Sequence, residues 1–317
     1  MSPPSGEMRR IVFQDVSKFY GEVLGVNRVT LEVHPGITAL VGPNGSGKST
    51  LMNLLTGLVS PTRGTVSLLG LPPRSPEVFR HVGYCSQFDA FPRGATGFQF
   101  VAGYLRLFGY PEPEVRRRAV AAIERVGLAE AAKRRVAGYS KGMRQRIKLA
   151  QAMAHEPQVM VLDEPLNGLD PMARSEFIAL FRELASAGRH VVVSSHILHE
   201  VDLIADQLVM LHQGYVVAEG EIPEMREEMV TERPMQVMVR CSDPAVLAAR
   251  LFASRHAVEV KLFEDGSGLV ATTRDADRFY VLINELASQG ELTVDAVAPA
   301  DEDAHAVYRY LIGSEGA

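Results

Sequence analysis

Short runs of β-branched residues alternate along this chain with stretches of helical period. Residues 10–13 and 29–33 read as strands, and residues 37–41 form an apolar run that closes into a glycine-rich stretch before the helix-like residues 51–55. Gly57, Pro61 and Gly64 close a loop, residues 65–68 return as a strand, and residues 82–85 form another that delivers Ser86 and Gln87 into a loop. From 88 to 156 the period becomes helical. Thr96 and Gln99 have capping-box spacing, with Phe100, Tyr104, Leu107 and Phe108 recurring behind them as a core stripe. Further helices cover 114–126 and 140–155, separated from the first by the breaker at 109–113. Residues 159–162 are wholly apolar, as a buried parallel strand requires. A turn over 165–171, a helix around 177–184, a strand over 190–194 and a hairpin over 207–219 through Gln213 and Gly214 follow.

Beyond Met225 the pattern starts again. Strand 235–241, helix 244–254, the hairpin strands 258–263 and 269–272, helix 277–289, strand 292–297 and helix 301–312 give the β-α-β-β-α-β order of a ferredoxin-like unit. No residue there makes a chemical constellation, so a packing or dimerisation appendage is expected ahead of a ligand sensor. The expected organisation is an α/β domain over 1–224, with a helical subdomain at about 88–157, and an accessory α+β domain over 225–317.

The candidate chemistry begins at Gly42, Pro43, Asn44, Gly45, Ser46, Gly47, Lys48, Ser49 and Thr50. This is the P-loop spacing: a strand stops in a glycine-rich turn whose backbone N–H groups curl round an anion at a helix N-terminus. Lys48 would reach the β- and γ-phosphates of a nucleotide, the Ser49 hydroxyl would ligate Mg²⁺, and Thr50 would add a phosphate hydrogen bond. The apolar strand 159–162 ends in Asp163 and Glu164, where strand tips of an open α/β sheet face ligand. Asp163 suits a role in the Mg²⁺ shell and Glu164 the orientation of an attacking water. His196, just past the strand 190–194, is placed to hydrogen-bond a γ-phosphate; with His199 and Glu200 it also has the look of a metal cluster, but no further ligand set accompanies them. Tyr20 either stacks on adenine or packs on the sheet.

Composition narrows the class. The 317 residues carry a formal charge of −5, and no Lys- or Arg-rich face dominates, so a general nucleic-acid binder is not expected. The runs at 116–118 and 133–135 read as solvated helix faces. The two cysteines, Cys85 and Cys241, form no framework, which fits a reducing compartment. No apolar run approaches the ~18 residues of a membrane span, and residues 1–10 lack the apolar segment of a leader, so work at a membrane requires a partner there.

Taken in order, Tyr20, Gly42 to Thr50, Gln87, the signature around Ser140 and Gly142, Asp163, Glu164, Asp170 and His196 resemble an ABC-transporter ATPase over about residues 10–220. The resemblance implies ATP and Mg²⁺ as cofactors. It also implies a head-to-tail pair of ATPase subunits, with a second copy as the expected partner, and an integral-membrane permease at whose cytoplasmic face the chain sits peripherally. On that basis Ser140 and Gly142 meet the γ-phosphate in trans, Gln87 couples the Mg²⁺ and water site to the permease, and Asp170 crosses the dimer contact. The signature departs from the usual Leu-Ser-Gly-Gly-Gln: it reads Tyr139-Ser140-Lys141-Gly142-Met143, which is similar to the ATPases of type-2 exporters. Its contacts are not carried over at Lys141 and Met143. Two other classes stay open, a soluble ABC ATPase acting on DNA or ribosomes and a nucleotide-controlled regulator whose tail binds an effector.

Overall fold

The computed structural model describes residues 10–196, 201, 204–221 and 235–299. Between residues 221 and 222 the chain divides into two compact units.

In the first unit, β1 (Ile11–Tyr20) and β2 (Val23–Val33) form an antiparallel hairpin turning at Gly21, whose φ of 62° favours glycine. Both strands outrun the sequence expectation. Lys18, Phe19 and Tyr20 stay in register with Val26, Leu24 and Val23, so Tyr20 is the last residue of β1 and not part of a loop between strands. β3 (Gly36–Val41) leads through the glycine-rich stretch into α1 (Lys48–Leu55), and β4 (Arg63–Leu68) pairs with the free side of β1, giving the sheet order β2-β1-β4.

A second sheet holds β3 at its heart. Its other strands are β5 (Val82–Cys85), β6 (Val159–Leu162), β7 (His190–Ser195), β8 (Gln207–His212) and β9 (Tyr215–Glu221), in the order β5-β6-β7-β3-β8-β9. All neighbours run parallel except the final β8–β9 hairpin. Every residue of β6 and β7 is buried, as strands covered on both faces must be. Side chains alternate between two cores: Met160, Leu162, Val191 and Val193 face the helical side, while Val159, Val161 and Val192 pack with α1 and the antiparallel sheet.

The helical side is built from α3 (Gly97–Leu107), α4 (Glu112–Arg125), α5 (Lys141–Met153) and α6 (Pro171–Ser186); a one-turn α2 (Pro76–Phe79) precedes them and has no periodic signal in the sequence. Thr96 and Gln99 make both capping-box bonds, at 3.2 and 2.9 Å. The expected core stripe on α3 is split. Phe100, Val101 and Leu105 face inward, which turns Tyr104 outward and leaves Leu107 85% exposed, while Phe108 stacks on His155 with centroids 4.2 Å apart. Of the basic runs, Arg116 and Arg117 are exposed on α4, as a solvated helix face requires, but the other positions depart from it. Arg118 is mostly buried against Glu114 (2.6 Å), Glu156 (3.1 Å) and the Tyr110 ring, and residues 133–135 lie outside any helix.

The second unit contains β10 (Met235–Cys241), α7 (Pro244–Ala253), β11 (Glu259–Leu262), β12 (Gly268–Thr273), α8 (Ala276–Ser288) and β13 (Val294–Pro299). The antiparallel sheet has the order β11-β12-β10-β13, which is ferredoxin-like. Alternate residues Val237, Val239, Leu269 and Ala271 pack against Leu247 and Leu251 of α7 and Phe279 and Ile283 of α8. Asp243 and Asp275 cap those helices through backbone N–H bonds of 3.0 and 3.1 Å. The helix expected over 301–312 lies outside the described residues.

Candidate nucleotide site

Everything about the loop after β3 depends on close backbone approach. Gly42 has a φ of 154°, and a side chain there would collide with the Leu211 carbonyl and come within 2.6 Å of the Ser46 hydroxyl. Gly47, at φ 111°, caps α1 without a side chain; a Cβ there would lie 2.8 Å from the Gly25 carbonyl oxygen. The loop is also held from the far end of the sheet. Gly214, at the β8–β9 turn, donates its N–H to the Ser46 carbonyl at 2.9 Å and accepts from the Asn27 N–H at 2.8 Å. α1 therefore presents its N-terminal N–H groups into the loop with no capping side chain in the way.

Lys48 is buried at the mouth of this loop, and its Nζ donates to the carbonyl oxygens of Gly42 (2.6 Å) and Pro43 (3.0 Å). Burial lowers its pKa, and the nearby carboxylates of Glu164 and Asp163 pull in the opposite direction without cancelling that effect. Opposite stands the tip of β6. Asp163 is buried; its Oδ1 accepts from the Ser194 hydroxyl at 2.7 Å and its Oδ2 from the Ser49 hydroxyl at 3.3 Å. Ser194 also accepts the Glu164 N–H at 2.8 Å, so one hydroxyl on β7 orients both acidic residues. Glu164 has a φ of 51°, a strained left-handed conformation costing about 1–3 kcal/mol in a residue with a Cβ. Its carboxylate meets His196 Nδ1 at 2.7 Å. Beneath them, burial lifts both the Tyr84 phenol and the Cys85 thiol to about 12, with the Asp163 charge adding to each.

Lys48, Asp163 and Glu164 face one cleft of about 390 Å³, also lined by Tyr20, Asn44, Gly45, Gly47, Ser49, Thr50 and Gln87; His196 does not line it and meets it through Glu164. Tyr20 is half exposed at its edge beside Gly25, with Lys18 Nζ 5.1 Å from the ring centroid. Gly42, Pro43 and Ser46 shape the loop, and Ser46 Oγ is buried with no partner among the described residues. A glycine cradle, an orphan hydroxyl, a lysine and a helix N-terminus suit a polyphosphate. The oxygen donors of Ser49, Asp163 and Gln87 suit a hard divalent cation.

Ser140, Gly142 and Asp170 do not line this cleft. Ser140 caps α5, accepting the Met143 N–H at 3.2 Å, and Asp170 caps α6, accepting the Ala173 N–H at 2.8 Å. The two caps are neighbours: the Lys141 side chain lies across Gly168, its Nζ 3.4 Å from Asn167 Oδ1. His199 and Glu200 lie outside the described residues. Ser194 and Gly214 carry no motif signal. The only trace of Ser194 in the sequence is a pair of hydroxyl residues that follows a run of three valines in β7, at a position that is fully buried.

Comparison with known proteins gives this architecture a family. Residues 26–167 match the ABC transporter family model. The chain is 38% identical over 221 residues to an uncharacterized ABC transporter ATP-binding protein of Bacillus subtilis, covering 69% of this chain and 73% of that protein. It is 34% identical to the Nod factor export ATP-binding protein I of Rhizobium etli (70% and 72% covered) and 31% identical to the bacitracin transport ATP-binding protein of Enterococcus faecalis, covering 96% of both chains. Among solved structures, the ATP-binding subunit of an ABC transporter superposes with a TM-score of 0.64 at 28% identity over 69% of this chain and 92% of that one. An ATP-binding cassette solved as a dimer in a post-hydrolysis state with ADP and Pi superposes at 0.62 and 25% identity, covering 67% and 98%. The chain belongs to the ATP-binding proteins of ABC transporters, and it is an ATP-hydrolysing subunit of that class.

Proposed function

We propose that this subunit binds ATP in the cleft between Lys48 and Glu164 and uses its hydrolysis to drive export through a separate membrane permease. The observation that carries the reading is the meeting of the glycine cradle with the Asp163–Glu164–His196 constellation on adjacent strand tips. Backbone N–H groups within residues 44–50 and the Lys48 ammonium bind the β- and γ-phosphates, with Lys48 exchanging its loop carbonyls for phosphate oxygens. Tyr20 stacks on the adenine. Glu164 accepts a hydrogen bond from the attacking water, and His196, paired with Glu164, hydrogen-bonds the γ-phosphate that is transferred to that water while ADP leaves. Ser49, Asp163 and Gln87 would hold Mg²⁺, which when bound neutralises charge on the transferred phosphoryl group.

Two copies are proposed to close head to tail, so that Ser140, Gly142 and the N-terminus of α5 from one subunit meet the nucleotide of the other. Asp170 then stands at the dimer contact. A permease would take up the exposed Phe88, Tyr104 and Leu107 of the helical side. Among the described residues no helix is long and apolar enough to cross a membrane, which fits a peripheral subunit on the cytoplasmic face. The export direction follows the Nod factor export relative.

The test is affinity purification of the tagged Glu164→Gln protein from detergent-solubilised membranes with ATP present, followed by mass spectrometry. A stoichiometric multi-span protein is the expected companion. Recovery of ribosomal or DNA-repair proteins in its place would overturn the transporter assignment.

A further inference from the structure

The backbone of the Gln87 loop, just past the tip of β5, is gripped from α5. Lys148, buried on that helix, donates from Nζ to the carbonyl oxygens of Ser86 (3.0 Å) and Gln87 (3.2 Å) and reaches Asp89 Oδ1 at 3.1 Å. All three donors of one ammonium are thus committed to one loop. Asp89 Oδ2 accepts from Arg144 Nε at 2.7 Å, and Arg144 donates onward to the Tyr139 carbonyl at 2.6 Å. Arg144 and Lys148 are four residues apart, on one face of α5, so Asp89 sits in a fork between two cations. Burial raises the Asp89 pKa, but the hydrogen bonds from Lys148 and Arg144 outweigh it and hold the carboxyl below its ordinary value.

A continuous polar path therefore runs from Gln87, in the ATP cleft, to Tyr139, which directly precedes Ser140. Burying an ammonium at a helix position is costly unless it is fully paired. An apolar residue would fill the same space without that cost, and would let go of the loop.

We infer that Asp89 and Lys148 are positioning residues that fasten the Gln87 loop to α5, so that Gln87 of one ATP site and Ser140 of the other move as a single piece. The inference rests on the proposed head-to-tail pairing. It makes occupancy of one site felt at the second through a rigid element within each subunit, a physical link with two named ends.

The test uses the full-length chain in a steady-state ATPase assay, with nucleotide affinity from a fluorescent ATP analogue and thermal melts run alongside. Asp89→Ala is expected to lower kcat about ten- to a hundred-fold, the upper end being the cost of misplacing a catalytic group by about 1 Å. KM and analogue affinity should change by less than about two-fold, because the phosphate cradle is untouched. The Hill coefficient for ATP should fall toward one, and Asp89→Glu should restore both rate and cooperativity. Asp89→Ala combined with Lys148→Met should be no worse than Lys148→Met alone. Asp89 is partly exposed, so its variants keep the test independent of any folding defect at Lys148. A wild-type kcat and Hill coefficient in Asp89→Ala would overturn the inference, as would a loss that follows the unfolded fraction. Glu164→Gln in the same assay separates the two levels: if it hydrolyses ATP like wild type, the proposed site falls and this inference falls with it.

Discussion

Glu164 and His196 face each other across the tips of β6 and β7, with 2.7 Å between carboxylate oxygen and Nδ1, and the glutamate takes a φ of 51° to get there. Backbone strain at such a position persists where the surroundings over-determine it. Here the Ser194 hydroxyl holds the Glu164 N–H and the β6–β7 pairing fixes the strand beneath. Glu164→Gln should therefore keep the fold and ATP binding while losing at least about a hundred-fold in turnover, the range for a removed general base. Size-exclusion chromatography with ATP should show the variant as a stable dimer. Wild-type hydrolysis in this variant would remove Glu164 from the water-orienting role.

Ser194 is expected to matter almost as much as the acids it serves. Ser194→Ala leaves Asp163 and the Glu164 N–H each short of a buried partner. Loss of an outer partner of a metal-holding carboxylate typically costs about 10- to 100-fold. The cost should appear as a raised Mg²⁺ requirement in a titration of ATPase rate, with Ser194→Thr recovering part of it.

Tyr20 offers a clean separation of ring from hydroxyl. Stacking of a base on an aromatic ring is worth about 1–3 kcal/mol, so Tyr20→Ala should raise the KM for ATP roughly ten-fold, and Tyr20→Phe should leave it unchanged. Equal KM values for Tyr20→Ala and wild type would assign the ring to sheet packing.

His155 sets a pH limit on stability. Burial against Phe108 lowers its pKa from 6.5 to about 4, and Nε2 donates to the Val82 carbonyl at 3.0 Å in the neutral form. In the unfolded chain the imidazole takes up its proton near the ordinary value, so the unfolded state binds more protons between these two values. Stability is then full above about pH 6.5 and is lost as the pH falls toward 4, by up to about 3 kcal/mol. Urea midpoints at pH 7 and pH 5 measure it. His155→Gln, which keeps the donor to Val82, should flatten the difference.

What could be read from the sequence follows how local each signal is. The cradle of residues 42–50 and the pair Asp163–Glu164 are contiguous, each announced by the apolar strand before it. The hold of Lys148 on the Gln87 loop joins positions 61 and 62 residues apart in sequence, and Ser194 meets Asp163 across 31. Such pairs exist only once the strand order β5-β6-β7 has formed. The α3 stripe misled for a related reason. Tyr104 and Leu107 have helical spacing, but the face that α3 buries is chosen by its neighbours α4 and α5, which the spacing does not encode. Tyr20 was ambiguous because the length of a hairpin depends on cross-strand register, and that register carries it out to the edge of the cleft.

The phosphate loop is sewn in from behind by Gly214, which grips Ser46 on one side and Asn27 on the other. The motif is nine residues long, but its shape is completed only when the chain has travelled through β8 and turned back. During synthesis, the loop stays without its last two stitches until the β8–β9 hairpin has emerged and docked. A fragment cut just after His196 would contain every catalytic residue named for the cleft and still lack the turn that finishes it; a piece that keeps the whole β8–β9 hairpin runs to Glu221.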